Sequence, residues 1–218
     1  MKITNIDYNF IKAQLKTLES AYKQSNDKEV LSSVQTRIYF NLVEKIDGFE
    51  KNFSEHFESF KMSNLKEIDE LSEAILESMN IIHLPEVSEP DLKKKIKLSD
   101  RDLASLIRGY NEAVKTPLTY YSQKIDEKLA ILYYEDNIFT SVICNTIKNK
   151  KAIIPSFCHF CNTLRKGDEI VFIANTKSTH KDYSTLGVYC CLDYRACNKE
   201  ITNKDNLIKF INYKGKKK

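Results

Sequence analysis

Residues 156–161 read Ser-Phe-Cys-His-Phe-Cys, and residues 189–198 read Tyr-Cys-Cys-Leu-Asp-Tyr-Arg-Ala-Cys-Asn. Cys158 and Cys161 form a CxxC, a spacing that lets one tight turn bring two thiolates to a single ion, with Zn–S near ~2.3 Å. A tetrahedron needs a second pair. Cys191 and Cys197 bracket five residues, enough to carry the chain from a strand end into the first turn of a helix. One knuckle, one strand end and one helix start make the layout of a treble clef. Successive side chains on a strand alternate faces, so Cys190 and Cys191 cannot both serve and one is spare. Tyr189 shares a face with Cys191, while Cys190 points with Val188 into a core. Cys144, isolated in a Val-Ile-Cys-Asn-Thr-Ile run, reads as a small apolar residue. His159 inside the CxxC and His180 in a polar loop are substitute ligands, although four thiols are already at hand.

A redox use of the CxxC requires it at a helix start after a βαβ strand, where the helix dipole lowers the thiol pKa. No βαβ pattern surrounds Cys158, so a metal is favoured. A catalytic zinc keeps an open position and a nearby base; four Cys leave no opening. The sequence also lacks HExxH, a Walker loop, GxSxG and GxGxxG. The site therefore reads as one structural zinc per chain, and the protein as no enzyme.

Composition agrees with a metal rather than disulfides. The 218 residues are 42% hydrophobic and 29% charged, a globular profile that fills one or two domains. No apolar run approaches the ~20 residues of a membrane helix, and residues 1–14 lack the apolar core of a secretory signal. The expectation is a cytoplasmic protein with reduced thiols. Charge is split along the chain. Residues 1–84 hold 10 Lys/Arg and 14 Asp/Glu, a net of −4; the remaining 24 and 16 of the chain's 34 and 30 give residues 85–218 a net of +8. All six Cys fall in the second part.

The first part has helical periodicity. Tyr8, Ile11, Leu15, Leu18 and Tyr22 form one stripe, and Leu31, Val34, Ile38, Leu42 and Ile46 a second. Phe49, Phe53, Phe57 and Phe60 form a third, and Leu65, Ile68, Leu71, Ile75 and Met79 a fourth. Ser25 to Asp27 cap the second helix, Gly48 suits its C-terminal end, and Asn64 with Glu67 resembles a capping box. Four amphipathic helices with short joints predict an antiparallel four-helix bundle over residues 1–84. His56 has no second His nearby and reads as a surface or packing residue.

Pro85 and Pro90 mark the boundary. Residues 91–98 predict a short basic helix, and 102–110 another ending near Gly109. Strands are predicted over 129–135, 138–147, 169–176 and 187–192, with Asp136-Asn137 as a turn. The tail from Ile201 predicts a last amphipathic helix with a frayed basic end. The fold class is thus α+β: a helical bundle followed by an α/β domain, residues 85–218, on a treble-clef-like four-Cys site.

These residues resemble a known family. The Ser-Phe-Cys-His-Phe-Cys-Asn knuckle, the Tyr-Cys-Cys strand end, the Cys-Asn five residues later and the Asn-Leu-Ile-Lys-Phe-Ile helix are similar to the zinc-binding domain of the FusB-type proteins. Those are elongation factor G-binding proteins of fusidic acid resistance. Leu84 to Lys97 resembles their Leu-Pro segment and basic helix, and Arg108 to Glu112 their Gly-Trp-Asn element. The resemblance spans most of the chain and is specific over residues 157–211. It implies zinc ligands at Cys158, Cys161, Cys191 and Cys197 and partner-contacting aromatics at Phe157, Tyr189 and Phe210. Packing around the zinc is the alternative role for those three. It also implies binding of elongation factor G and its release from ribosomes stalled by fusidic acid, without modification of drug or factor. One departure stands out: Leu186 occupies the place of a family Lys, so a charged contact is missing or comes from elsewhere, for instance Lys181. The competing function is a zinc-ribbon-like nucleic-acid module, which the +8 half permits. Against it, the basic residues are dispersed and no aromatic-glycine RNA motif occurs. The expected assembly is a monomer without membrane contact or specific nucleic-acid binding.

Overall fold

The structure is a computed structural model and describes residues 1–53, 65–147, 154–178 and 183–214. It divides into two compact units, Met1–Ile82 and His83–Lys218.

The first unit is built from the apolar stripes. α1 (Asn5–Gln24) starts at Thr4, whose hydroxyl accepts from the Asp7 amide while the Asp7 carboxylate accepts from the Thr4 amide. This reciprocal cap satisfies two otherwise unpaired donors. α2 (Lys28–Lys45) starts at Asp27, whose carboxylate accepts from Glu29 and Val30 amides. Residues 49–53 form a helical segment, α3, and α4 spans Leu65–Glu77. Ile11, Leu15 and Leu18 of α1 meet Ile38 and Leu42 of α2, Phe49 and Phe53, and Ile68, Leu71 and Ile75 of α4 in one buried cluster. Each such side chain contributes about 1.5–3 kcal/mol on burial. Gly48 adopts φ +74 after α2, a left-handed conformation that favours glycine at a helix exit. The unit's ends are clasped by a pairing with no local signal: β1 (Lys2–Ile3) lies parallel to β2 (Asn80–Ile81). Phe57, Phe60, His56 and Asn64 lie outside the described residues.

The second unit opens with the proline-punctuated segment held flat on a helix. α5 (Glu89–Lys93) is capped by Ser88 and Asp91 and carries Pro90 in its first turn, where the missing amide costs nothing. α6 spans Asp100–Ala113. Its Asn111 side chain exchanges two hydrogen bonds with the Val87 backbone, and the Tyr110 hydroxyl donates to the Pro85 carbonyl. Gly109 does not end this helix. It lies inside it because a Cβ there would come within 2.2 Å of the Tyr121 hydroxyl.

Behind α6 stands a five-stranded antiparallel sheet in the order β3-β4-β5-β8-β9. The strands are β3 (Tyr120–Ile125), β4 (Lys128–Glu135), β5 (Ile138–Ile147), β8 (Ile170–Ser178) and β9 (Tyr183–Cys191). Asp136 and Asn137 both take positive φ, as a tight hairpin between β4 and β5 requires. Leu129 to Leu132 are all buried, so β4 is covered on both faces. A separate two-stranded ribbon, β6 (Ser156–Phe157) with β7 (Leu164–Arg165), brackets the CxxC. Two short helices follow β9: α7 (Tyr194–Asn198) and α8 (Asp205–Ile211). The chain is thus mixed helix and sheet, and the second unit's sheet is a meander with every neighbouring strand pair antiparallel. No helix among the described residues is long and apolar enough to cross a membrane.

Candidate metal centre

Three segments bring four thiols together. The first is the turn between β6 and β7. The Cys158 amide donates to the Thr163 carbonyl, the Asn162 amide donates to the Cys158 carbonyl, and Asn162 takes φ 55 to reverse the chain. Asn is one of the few residues that tolerate this conformation. The second is the end of β9. The third is α7, where Asp193 caps the helix through the Arg195 amide and sets Cys197 on its last turn. The knuckle is pinned to the strand by the His159 amide, which donates to the Tyr189 carbonyl at 2.8 Å.

The result is a closed cluster. Cys158, Cys161, Cys191 and Cys197 are all buried and their sulfur atoms lie within 4.8 Å of one another. The Cys158–Cys197 and Cys161–Cys191 sulfur distances are both 3.7 Å. A disulfide would be near ~2.05 Å, and all six Cys are free thiols. The edge of a tetrahedron with metal–sulfur bonds of ~2.3 Å is about 3.8 Å, so spacing and donor chemistry fit a four-thiolate metal ion. Hydrogen bonding, with Cys158 foremost, holds the Cys161 thiol far below the usual thiol range. Hydrogen bonding with Cys158 likewise drives the Cys197 thiol up. Thiols this close cannot all ionise unless a cation compensates them.

The other two Cys behave differently. Burial pushes Cys144 up to about 12 and Cys190 well up, the mark of inert core thiols. In the β8–β9 register Cys191 faces Ile170 and Cys190 faces Val171, so the two point to opposite faces and only Cys191 joins the cluster. His159 is not in the cluster; its carbonyl accepts from the Asn206 side chain. His180 and Lys181 lie outside the described residues.

The three aromatics part company. Phe157 is 62% exposed on β6, directly across from Leu164 at 55%. Tyr189 is half-buried and stands edge-on to Phe172, with ring centroids 5.1 Å apart. Phe210 is 0% exposed: its ring packs edge-on against Phe160 of the CxxC, which in turn meets Tyr120. A shared exposed patch of all three does not form. The reason is the stripe itself: Leu207, Phe210 and Ile211 occupy one face of α8 and all are buried. Leu186 of β9 pairs with Asn175 of β8, both uncharged.

Three residues around the cluster had no role assigned from the sequence. Asn198, next to Cys197, is buried and clasps α7 to β3. Its side-chain oxygen accepts from the Thr119 and Tyr120 amides, and its amide donates to the Tyr120 and Tyr194 carbonyls, both at 2.8 Å. The Cys-Asn pair is thus a candidate ligand followed by a fastener. Tyr120 and Arg165 flank the sulfurs and carried no motif signal.

Residues 2–85 match the family model described as elongation factor G-binding protein, N-terminal. No curated protein sequence matches the chain. Among solved structures it is similar to the fusidic acid resistance protein FusC, at 19% identity and a TM-score of 0.63, with 96% of each chain covered. At that identity the likeness is one of fold. Residues 2–85 are thus similar to the N-terminal module of elongation factor G-binding proteins, and the fold of the chain is similar to that of FusC.

Proposed function

We propose that this protein is a zinc-containing, non-enzymatic binder of elongation factor G that promotes the factor's release from ribosomes stalled by fusidic acid. The observation that carries this reading is the exposed Phe157–Leu164 pair, held on a four-thiol knuckle in a chain whose residues 2–85 match the elongation factor G-binding protein, N-terminal model. A zinc at Cys158, Cys161, Cys191 and Cys197 ties the knuckle to β9 and α7 as a treble clef. At such a site binding energy is folding energy. The apolar pair, with Tyr189 on the neighbouring strand, then forms a rigid platform. Aromatic anchors of this kind are the usual hot spots of interfaces. Phe210 acts beneath that platform as core rather than on it.

In this proposal the N-terminal residues 1–84 form an antiparallel four-helix bundle, residues 85–218 the zinc domain, and the working unit is a cytoplasmic monomer. The test uses ribosomes loaded with elongation factor G and fusidic acid. Adding the full chain and sedimenting the ribosomes should move the factor into the supernatant. A factor that stays with the ribosomes at saturating chain overturns the release reading. If the chain instead pellets with bare ribosomal RNA and loses that affinity steeply with salt, the nucleic-acid alternative replaces it.

A further inference from the structure

Two buried side-chain polar atoms among the described residues have no hydrogen-bond partner: the Tyr120 hydroxyl and the Arg165 Nε. Buried polar groups are almost always paired, so each exception calls for an explanation. Both lie at the same place. Tyr120 is fully buried at the start of β3, and its side chain interacts with Cys197. Arg165 stands on β7 immediately beyond the knuckle. Its Nη2 donates to the Ala196 carbonyl at 3.2 Å, which fixes the guanidinium against α7, and its side chain interacts with Cys191 and Cys161. The two orphans therefore both lie beside the four sulfurs: one next to Cys197, the other next to the Cys161–Cys191 pair.

A neutral thiol is a weak acceptor; a thiolate is a strong one, and hydrogen bonds to charged groups are shorter and stronger. The same two donors that find no partner among thiols would find one among thiolates. Four thiolates around a dication leave two negative charges in a buried site, and one guanidinium offsets half of that. We propose that Tyr120 and Arg165 are outer donors of the metal centre, the Tyr120 hydroxyl bonding the Cys197 sulfur and the Arg165 Nε–H the sulfurs of Cys191 and Cys161. They orient the ligands and tune the affinity for the ion. This assignment rests on the four-thiol metal reading and adds residues to it.

The experiment uses the full chain loaded with cobalt, whose sulfur-to-metal charge-transfer bands report electron density on each thiolate, together with zinc competition against a chelator. Tyr120→Phe removes only the hydroxyl oxygen. Losing such outer partners lowers metal affinity about 10–100-fold, so Tyr120→Phe should weaken zinc at least tenfold and shift the cobalt band to lower energy. The metal-free chain should be no less stable, because an unpaired buried group has gone. Arg165→Met should do the same, and Arg165→Lys should recover part of the affinity through charge. If Arg165→Met fails to fold, Tyr120→Phe decides alone. Wild-type bands and affinity in Tyr120→Phe overturn the assignment. A wild-type chain that takes up no cobalt overturns the metal reading itself, and the two failures are thereby distinguishable.

Discussion

The two units of this chain hold themselves together by different means. Residues 1–82 rely on apolar stripes that meet along helices: Ile11, Leu15 and Leu18 against Ile38, Leu42, Ile68, Leu71 and Ile75. Their stability is spread over many side chains, each contributing a small share, and no single residue is indispensable. The second unit has a comparable core around Leu92, Leu103, Leu106, Tyr110 and Leu132, but its cysteine-bearing end is arranged differently. There a six-residue turn, a strand end and a five-residue helix converge on four sulfurs. These pieces are short, and in the proposed zinc site a few coordinate bonds would supply what many contacts supply in the first unit. A spread-out core degrades gradually under mutation; a point-held one fails abruptly.

The largest effect should therefore come from the metal. Stripping it with a strong chelator, or replacing Cys197 by Ser, should abolish amide protection over residues 156–211 while leaving that of residues 5–45 at wild-type level. Hydrogen exchange read by mass spectrometry separates the two regions in one experiment. Uniform loss across both units would show that they do not differ in what holds them. Uniform retention would show that the short elements hold without an ion.

Next in size is Phe210→Ala. The ring is fully buried between α8 and Phe160, so truncation should cost about 3–5 kcal/mol in thermal or denaturant unfolding. Affinity for elongation factor G, measured below the shifted transition, should change little. Strong loss of binding at wild-type stability would restore Phe210 to the contact surface.

Smaller still is Cys190→Val, a near-isosteric change in the core, with a cost of under about 1.5 kcal/mol and no change in bound metal. Cys191→Val at the adjacent position should lose the metal. The opposite result would mean the β9 register is shifted by one residue.

Much of this was legible from residue spacing, because the stripes and the CxxC are local signals. The periodicities of α1, α2 and α4 and the strands β4, β5, β8 and β9 lie where the patterns put them, within a few residues at their ends. The four-Cys set also comes together in space. Three features had no such signal. β3 begins Tyr-Tyr-Ser with all three side chains buried, so it lacks the alternation that marks a half-buried strand. The β1–β2 pairing joins residues 78 apart in sequence, and nothing local announces it. Gly109 resembled a stop signal because its real reason, the approach of Tyr121, lies on another element. Phe210 teaches a different lesson. Its own spacing with Leu207 and Ile211 already marked a buried face, and family likeness pointed outward where periodicity pointed in. Tyr120 and Arg165 were out of reach altogether, since an unpaired donor exists only once the fold surrounds it.

The most direct test is a calorimetric titration of the zinc-loaded chain with purified elongation factor G, for wild type and Phe157→Ala. Phe157 is exposed, so its loss should leave the unfolding temperature and the zinc content unchanged. It should weaken binding by about 2 kcal/mol or more, which is roughly thirtyfold. Wild type should form a saturable complex that chelation abolishes. Equal affinity in the two proteins, or wild-type binding that survives removal of the metal, would contradict a partner surface built on the four-cysteine knuckle.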